Sequence, residues 1–304
     1  MTALNTEPIA VADRSIDGLL CVDLEDWHQL LLRRYGHGPK HCSVPFRRGL
    51  NALLDLLAES GQQATFFVLG MTLDEEPGIV SDLIAGGHEI ATHGWEHIHL
   101  ERRSNAEFAE DLKRAVGALS DLTGERVLGH RAPEFSIPRD APQAFFDTLM
   151  DQGLLYDSSV YPFAGGRYGL PDFPKRPCRV RGSGGDIIEF PIATTEFAGR
   201  PIPIGGGGYW RLLPSPLLEH LARRARKQDT LLTTYVHNYE FDPERLRLTE
   251  VTSAQELSGA WRRTSLQQNL FRRSLPGKLR RFLKAFRLVT CRTFLESQGL
   301  LGAD

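Results

Sequence analysis

The chain has 304 residues, 41% hydrophobic and 24% charged, with a formal charge of −2. That length buries a large core, as one α/β barrel or as two smaller domains, and the near-neutral balance excludes a global field favouring nucleic acid. Cys21, Cys42, Cys178 and Cys291 show no CxxC spacing, which reads as reduced thiols rather than a zinc ribbon or a disulfide framework. Residues 1–17 carry acids and no apolar h-region, so they read as an N-terminal tail and not a secretory signal. No apolar run approaches the ~18 residues that span a bilayer. The expected location is the cytoplasm.

Short apolar runs alternate with helical patterns. Gly18 to Asp23 reads as a buried strand ending in acids. Phe46 to Glu59 places Leu50, Leu53, Leu54 and Leu57 at helical spacing, and Gly61 follows as a stop. Ala64 to Leu69 reads as a second strand, Gly78 to Ala85 as a short helix, and Glu89 to Thr92 as a strand running into His93. Ser104, with Glu107 three residues on, predicts a capping box that opens a helix to Leu122. Val127 to His130 is a further strand, Pro142 to Gln152 a helix, and Tyr156 to Ser159 the end of another strand. A Gly/Pro-rich stretch follows Pro162, with one strand at Asp186 to Pro191. A helix from Pro216 to Lys227 then leads into a strand from Leu231 to His237, and Ser253 to Leu301 reads as helical and basic.

Strand and helix in regular alternation imply parallel βαβ units. Asp23, His93, Arg131 and Asp157 each follow a strand. In a parallel barrel such positions gather on the rim at the C-terminal strand ends. His93 and His97, four residues apart, can close on one ion, and the carboxylates of Val22-Asp-Leu-Glu-Asp26 offer an oxygen ligand and a base. The remaining histidines read as ordinary: His28, His37, His41, His99 and His220 as surface or core residues, and His88 as structural. His88-Glu89 to His93 misses the zincin spacing by one residue. Gly205 to Gly208 lacks the Lys-Ser/Thr of a phosphate-binding loop and reads as a loop over a substrate cleft.

In order, Val22-Asp-Leu-Glu-Asp-Trp27, Thr92-His-Gly-Trp-Glu-His97, His130-Arg-Ala-Pro133, Tyr156-Asp-Ser-Ser159 and Tyr235-Val-His-Asn-Tyr-Glu-Phe-Asp242 resemble the motifs of the NodB-homology polysaccharide deacetylases, carbohydrate esterase family 4. Within that group the chain looks most like the exopolysaccharide-associated deacetylases with an Asp-x-Glu-Asp first motif. The resemblance implies a distorted (β/α) barrel of seven strands over residues 18–245, with residues 246–304 as a basic helical extension packed on it. It also implies a divalent metal of the zinc kind, with cobalt, nickel or manganese as alternatives.

Two departures stand out. The first motif leaves the carboxylate ligand open: Asp23 and Glu25 share a strand face, whereas Asp26 lies in the loop, so Asp26 is the first choice and Glu25 its close rival. The usual His-Ser-x-x-His reads His-Gly-x-x-His, which removes a hydroxyl but neither imidazole.

The implied chemistry is amide hydrolysis. His93, His97 and one carboxylate hold the metal, leaving positions for water and the carbonyl. Asp23 is the general base, Arg131 orients it, and the backbone N–H of Glu134 faces the oxyanion. His237 protonates the leaving nitrogen, with Asp157 positioning it. Trp27, Trp95, Tyr209 and Trp210 are candidates for stacking on sugar rings.

The expected substrate is an N-acetylated sugar in a glycan, a carrier-linked sugar or an aminoglycoside-type molecule, with no nucleic-acid partner. The amphipathic stretch Lys278 to Arg287 is a candidate for peripheral membrane or lipid-carrier contact. The alternatives are an allantoinase-like or cyclic-imide hydrolase on the same barrel, and a catalytically silent glycan-binding protein.

Overall fold

The structure, a computed structural model, describes residues 4–29, 42–165, 169–197, 199–247 and 259–301. His37, His41 and the expected helical residues 253–258 lie outside them. The centre of the fold is strand β2 (Gly18–Leu24), following the short β1 (Thr6–Pro8). All seven residues of β2 are buried, as a parallel strand covered on both faces requires. Around it run β3 (Thr65–Val68), β4 (Glu89–Thr92), β5 (Gly129–His130), β6 (Tyr156–Asp157), β7 (Cys178–Gly182), β8 (Gly185–Glu189) and β11 (Leu232–His237). In the order β8-β6-β5-β4-β3-β2-β11 every neighbouring pair is parallel.

These seven strands form the expected distorted barrel, with one departure from a closed ladder. The seam between β11 and β8 is bridged by irregular chain: Ala193 N–H donates to Thr233 O at 3.0 Å and Tyr235 N–H to Gly205 O at 2.7 Å. Gly206 (φ 142°) lies against Tyr235, where a Cβ would come within 1.8 Å of the carbonyl oxygen. The glycine run therefore serves close backbone approach at the seam. It does not form a loop over the cleft.

The crossover helices are α1 (Val44–Glu59), α2 (Ile79–Ala85), α3 (Asn105–Thr123), α4 (Pro142–Asp151), α5 (Gly207–Leu212) and α6 (Ser215–Lys227). In α1, Phe46, Leu50, Leu53 and Leu57 form the buried stripe, each buried leucine contributing roughly 1.5–3 kcal/mol. The capping box at Ser104 forms as the spacing predicts, and α3 ends on Gly124 in the left-handed region.

The Gly/Pro-rich stretch holds more order than its composition suggests. β7 and β8 form a hairpin with β1 on its outer edge, and β9 (Thr194–Phe197) pairs with β10 (Arg200–Pro203). Beyond the barrel come α7 (Gly259–Asn269), α8 (Leu275–Ala285), β12 (Leu288–Val289) and α9 (Cys291–Ser297). β12 joins the barrel sheet directly, parallel to the start of β2. Leu279 and Phe282 of α8 are buried. Its basic side is tied to the barrel: Arg280 bonds Glu59 at 2.9 Å and Arg281 pairs with Glu219. No described helix is long and apolar enough to cross a membrane.

Candidate active site

β4 delivers His93 to the rim, its N–H bonded to Val68 O at 2.9 Å. The chain turns at Gly94, whose φ of 77° favours glycine. A Cβ there would also meet Asp111 Oδ2 at 3.0 Å. Asp111, on α3, accepts from the N–H groups of Trp95 (2.7 Å) and Glu96 (3.2 Å). Arg103 pairs with both Asp111 (2.5 Å) and Glu96 (2.6 Å).

The tight loop brings the rings of His93 and His97 to a centroid separation of 5.6 Å. Glu25 completes the group: its Oε2 lies 3.7 Å from His93 Nε2 and against His97 Nε2. One donor atom from each of the three residues lies within 4.8 Å of the others, and all three residues are buried. His93 Nδ1 is 2.8 Å from Arg131 O. A carbonyl only accepts, so Nδ1 carries a ring proton and Nε2 is the atom turned towards Glu25. The donor set thus fits a divalent cation of the zinc kind. Burial opposes charge on Glu25, yet His97 and His93 hold its carboxyl well below the usual range.

Asp26, the first choice from sequence, points elsewhere. It accepts from Ser43 N–H (2.6 Å) and Ser43 Oγ (3.0 Å), with His28 Nε2 at 3.3 Å. It fixes the entry to α1, and Glu25 is the carboxylate beside the histidines. The period of two aims Asp23 and Glu25 at the same interior, and the loop does not redirect Asp26 there.

Asp23, 3% exposed, accepts from Arg131 Nη1 at 2.6 Å. Arg131 is fully buried and fixed from behind: Nε donates to Ser158 O and Nη2 to Ser158 Oγ, both at 2.8 Å, and its guanidinium carbon lies 4.2 Å from the Phe67 ring centre. Burial disfavours the cation, but the Asp23 carboxylate outweighs it and raises the guanidinium pKa.

Asp157 does not reach His237. It meets His130 Nδ1 at 2.8 Å and accepts from Ser159 Oγ at 2.8 Å, while Ser159 Oγ accepts from Ala132 N–H. Its work is to brace the turn that carries Arg131. Next to it, burial and the Asp157 charge raise the Glu189 carboxyl well above its ordinary value.

His237 ends β11 in register with Asp23. Its Nδ1 meets Glu240 Oε2 at 3.1 Å, and the same oxygen accepts the His237 N–H at 3.0 Å. Its Nε2 faces Glu25 Oε1 at 3.4 Å. Burial works against protonation, but the Glu240 hydrogen bond and charge, with Glu25, push the imidazole pKa up to about 9. Glu240 therefore stands where Asp157 was expected. The signal for it was the His237-x-x-Glu240 spacing, a capping box with histidine in the capping position. Asn238, also unforeseen, accepts from Glu25 N–H at 3.2 Å and locks the first motif to the last.

Pro133 to Phe135 form a tight turn in which Glu134 takes φ 59°. Of the four aromatic candidates, Trp27 and Trp210 are fully buried and Trp95 is 7% exposed, so they offer a sugar no open face. Trp95 lies under Arg114, 3.5 Å from its guanidinium carbon, and Trp210 packs on Phe282 with its Nε1 donating to Ile204 O. Tyr209 is half-buried beside Tyr161, ring centres 6.5 Å apart.

Residues 37–148 match the family model described as Polysaccharide deacetylase, and residues 158–296 match a Domain of unknown function (DUF3473). Asp23 and Glu25 lie upstream of both matches. The chain is 35% identical over 90 residues to the peptidoglycan-N-acetylglucosamine deacetylase PgdA of Listeria monocytogenes, covering 30% of this chain and 18% of that protein. The chain thus spans under a fifth of that relative's length.

Among solved structures, a putative polysaccharide deacetylase from Mycobacterium smegmatis superposes with TM-score 0.56 at 18% identity, over 95% of this chain and 97% of that one. The Puue allantoinase superposes with TM-score 0.59 at 16% identity, over 94% and 91%. Both likenesses speak for the fold. The stretch at residues 37–148 is thus a polysaccharide deacetylase match of the NodB-homology, carbohydrate esterase 4 kind, set in a fold that the solved deacetylase shares.

Proposed function

We propose that the chain is a metal-dependent N-deacetylase that hydrolyses the acetamide of an N-acetylated sugar to a free amine and acetate. The observation that carries this reading is the convergence of Glu25, His93 and His97 on the rim that also carries Asp23 and His237, register partners on adjacent strands. Glu25, His93 and His97 would hold the metal. A divalent metal bound there supplies Lewis acidity to the amide carbonyl and to the attacking water.

Asp23 accepts the water proton through the carboxylate oxygen that Arg131 leaves open, a contribution of about 10²–10⁴-fold. The Glu134 N–H, aimed by its left-handed turn, meets the developing oxyanion. His237, protonated below a pKa of about 9, gives its Nε2 proton to the leaving nitrogen. Glu240 holds the opposite ring nitrogen, so the proton to be donated stays on the cleft side. The relative's name points to N-acetylglucosamine in peptidoglycan, and the first motif to an exopolysaccharide. An N-acetylated aminosugar unit is common to both.

The test is metal content together with acetate release from N-acetylglucosamine oligomers, in wild type and in His93→Ala/His97→Ala. About one metal ion per chain and acetate release, both lost in the variant, are expected. Allantoin turnover without acetate release would move the reading to the allantoinase-like hydrolases. Glycan binding without turnover of either substrate would move it to a silent binding protein.

A further inference from the structure

The last 43 described residues, 259–301, contribute no group to the site just described, yet one of their polar side chains binds the turn that carries His237 and two more hold the segments that flank it. Arg272, 2% exposed, donates to the carbonyls of Tyr239 (3.2 Å), Asp242 and Glu244. Asn269 grips Leu246 on both sides, donating to its carbonyl at 2.9 Å and accepting its N–H at 3.0 Å. Lys278 donates to the carbonyls of Trp210, Arg211 and Leu213 at 2.8, 2.9 and 2.8 Å, satisfying the C-terminal end of α5. That helix carries Arg211, whose Nε lies 3.2 Å from Glu240 Oε1 and whose Nη1 donates to Gln268 O at 2.6 Å.

Two routes therefore run from the C-terminal segment to one histidine. One passes from Arg272 through the backbone of residues 239–244. The other passes from Lys278 through α5, Arg211 and Glu240. A turn of four residues, Asn238–Phe241, makes few bonds of its own and takes its shape from what surrounds it. Packing alone does not call for these side chains: a buried guanidinium spent on three carbonyls is costly unless that backbone must be held.

We propose that Arg272, Asn269 and Lys278 are positioning residues for His237 and Glu240, so that this part of the C-terminal segment fixes the proton donor of the site. What His237 does rests on the deacetylase reading; that the segment places it does not. The test uses Arg272→Lys and Lys278→Met in the full chain, with and without zinc, and ring ¹⁵N spectra assigned with His237→Gln. The expected result is displaced or broadened His237 signals in both variants, with His93 and His97 signals and zinc binding unchanged. On chitotetraose, kcat falls about 10–100-fold at unchanged KM, as a small misplacement of a reacting group costs.

His237 signals at wild-type positions in both folded variants overturn the proposal whatever the kinetics. If Arg272→Lys fails to fold, the half-buried Lys278→Met decides alone. A wild type that releases no acetate from chitotetraose counts against the deacetylase reading, while the ring spectra still judge the placement.

Discussion

The two flanks of the site are supported in different ways. The His93–His97 loop is held from within the barrel: Thr92, Gly70 and Met71 bond its backbone, and Asp111 of α3 accepts from Trp95 N–H. The His237 turn is held in addition by groups from beyond the barrel, Arg272 directly at Tyr239 and Gln268 through Arg211. A metal site needs its ligands at fixed separations, and bonds among the barrel's own strands and crossovers give that. A proton donor needs an orientation towards a substrate, and here it is set by a separate layer of structure. A change on one flank should therefore spare the other.

The largest expected effect is at the base between the flanks. Asp23→Asn should lower kcat by about 10²–10⁴-fold with metal content intact. Full activity in that variant would remove the base from Asp23. On the metal flank, Glu25→Gln should lose the ion. Asp26→Asn should keep it and cost about 1.5–3 kcal/mol of stability through the weakened Ser43 hydrogen bond, measurable by urea unfolding. Loss of metal in Asp26→Asn with Glu25→Gln unaffected would reverse the ligand assignment.

Asp111→Asn should weaken metal binding by about 10–100-fold in chelator competition, and leave the alkaline limb of the pH–rate profile in place. The smallest effect belongs to the acid flank. His237 acts protonated, so its contribution is complete at low pH and is lost as pH rises through about 9. Glu240→Gln removes the carboxylate that raises this value, so the alkaline limb should move to lower pH while metal affinity holds. A limb that stays in place would detach it from His237.

How far the sequence could be read follows the same division. The strands and crossover helices through Asp157 lie close to where periodicity and caps put them, because each is a local pattern with a buried stripe. His93, His97, Asp23 and Arg131 converge because consecutive parallel strands end on one rim. Asp26 misled because a loop carboxylate has no period to fix its direction, and Ser43 claimed it. Asp157 misled because its partner, His130, lies on the adjacent strand and became visible only once β5 and β6 were paired. Trp27 and Trp210 misled because an indole looks the same in sequence whether it stacks on a sugar or fills a core. β12 escaped notice because a two-residue strand inside a basic helical region carries no periodicity of its own.

The place of β2 bears on how the molecule is made. Its flanks are shared among β3, β11 and β12, and Glu25 bonds Asn238 across 213 residues of chain. A growing chain that has reached α4 has the first crossovers in hand but can complete neither side of its central strand. Contacts of such sequence separation carry a loop-closure cost before they are rewarded, and slow folding is the expected result. Until residues 288–289 emerge, the start of β2 offers an unpaired edge to any other extended segment, so late synthesis is when this protein is most exposed to mispairing.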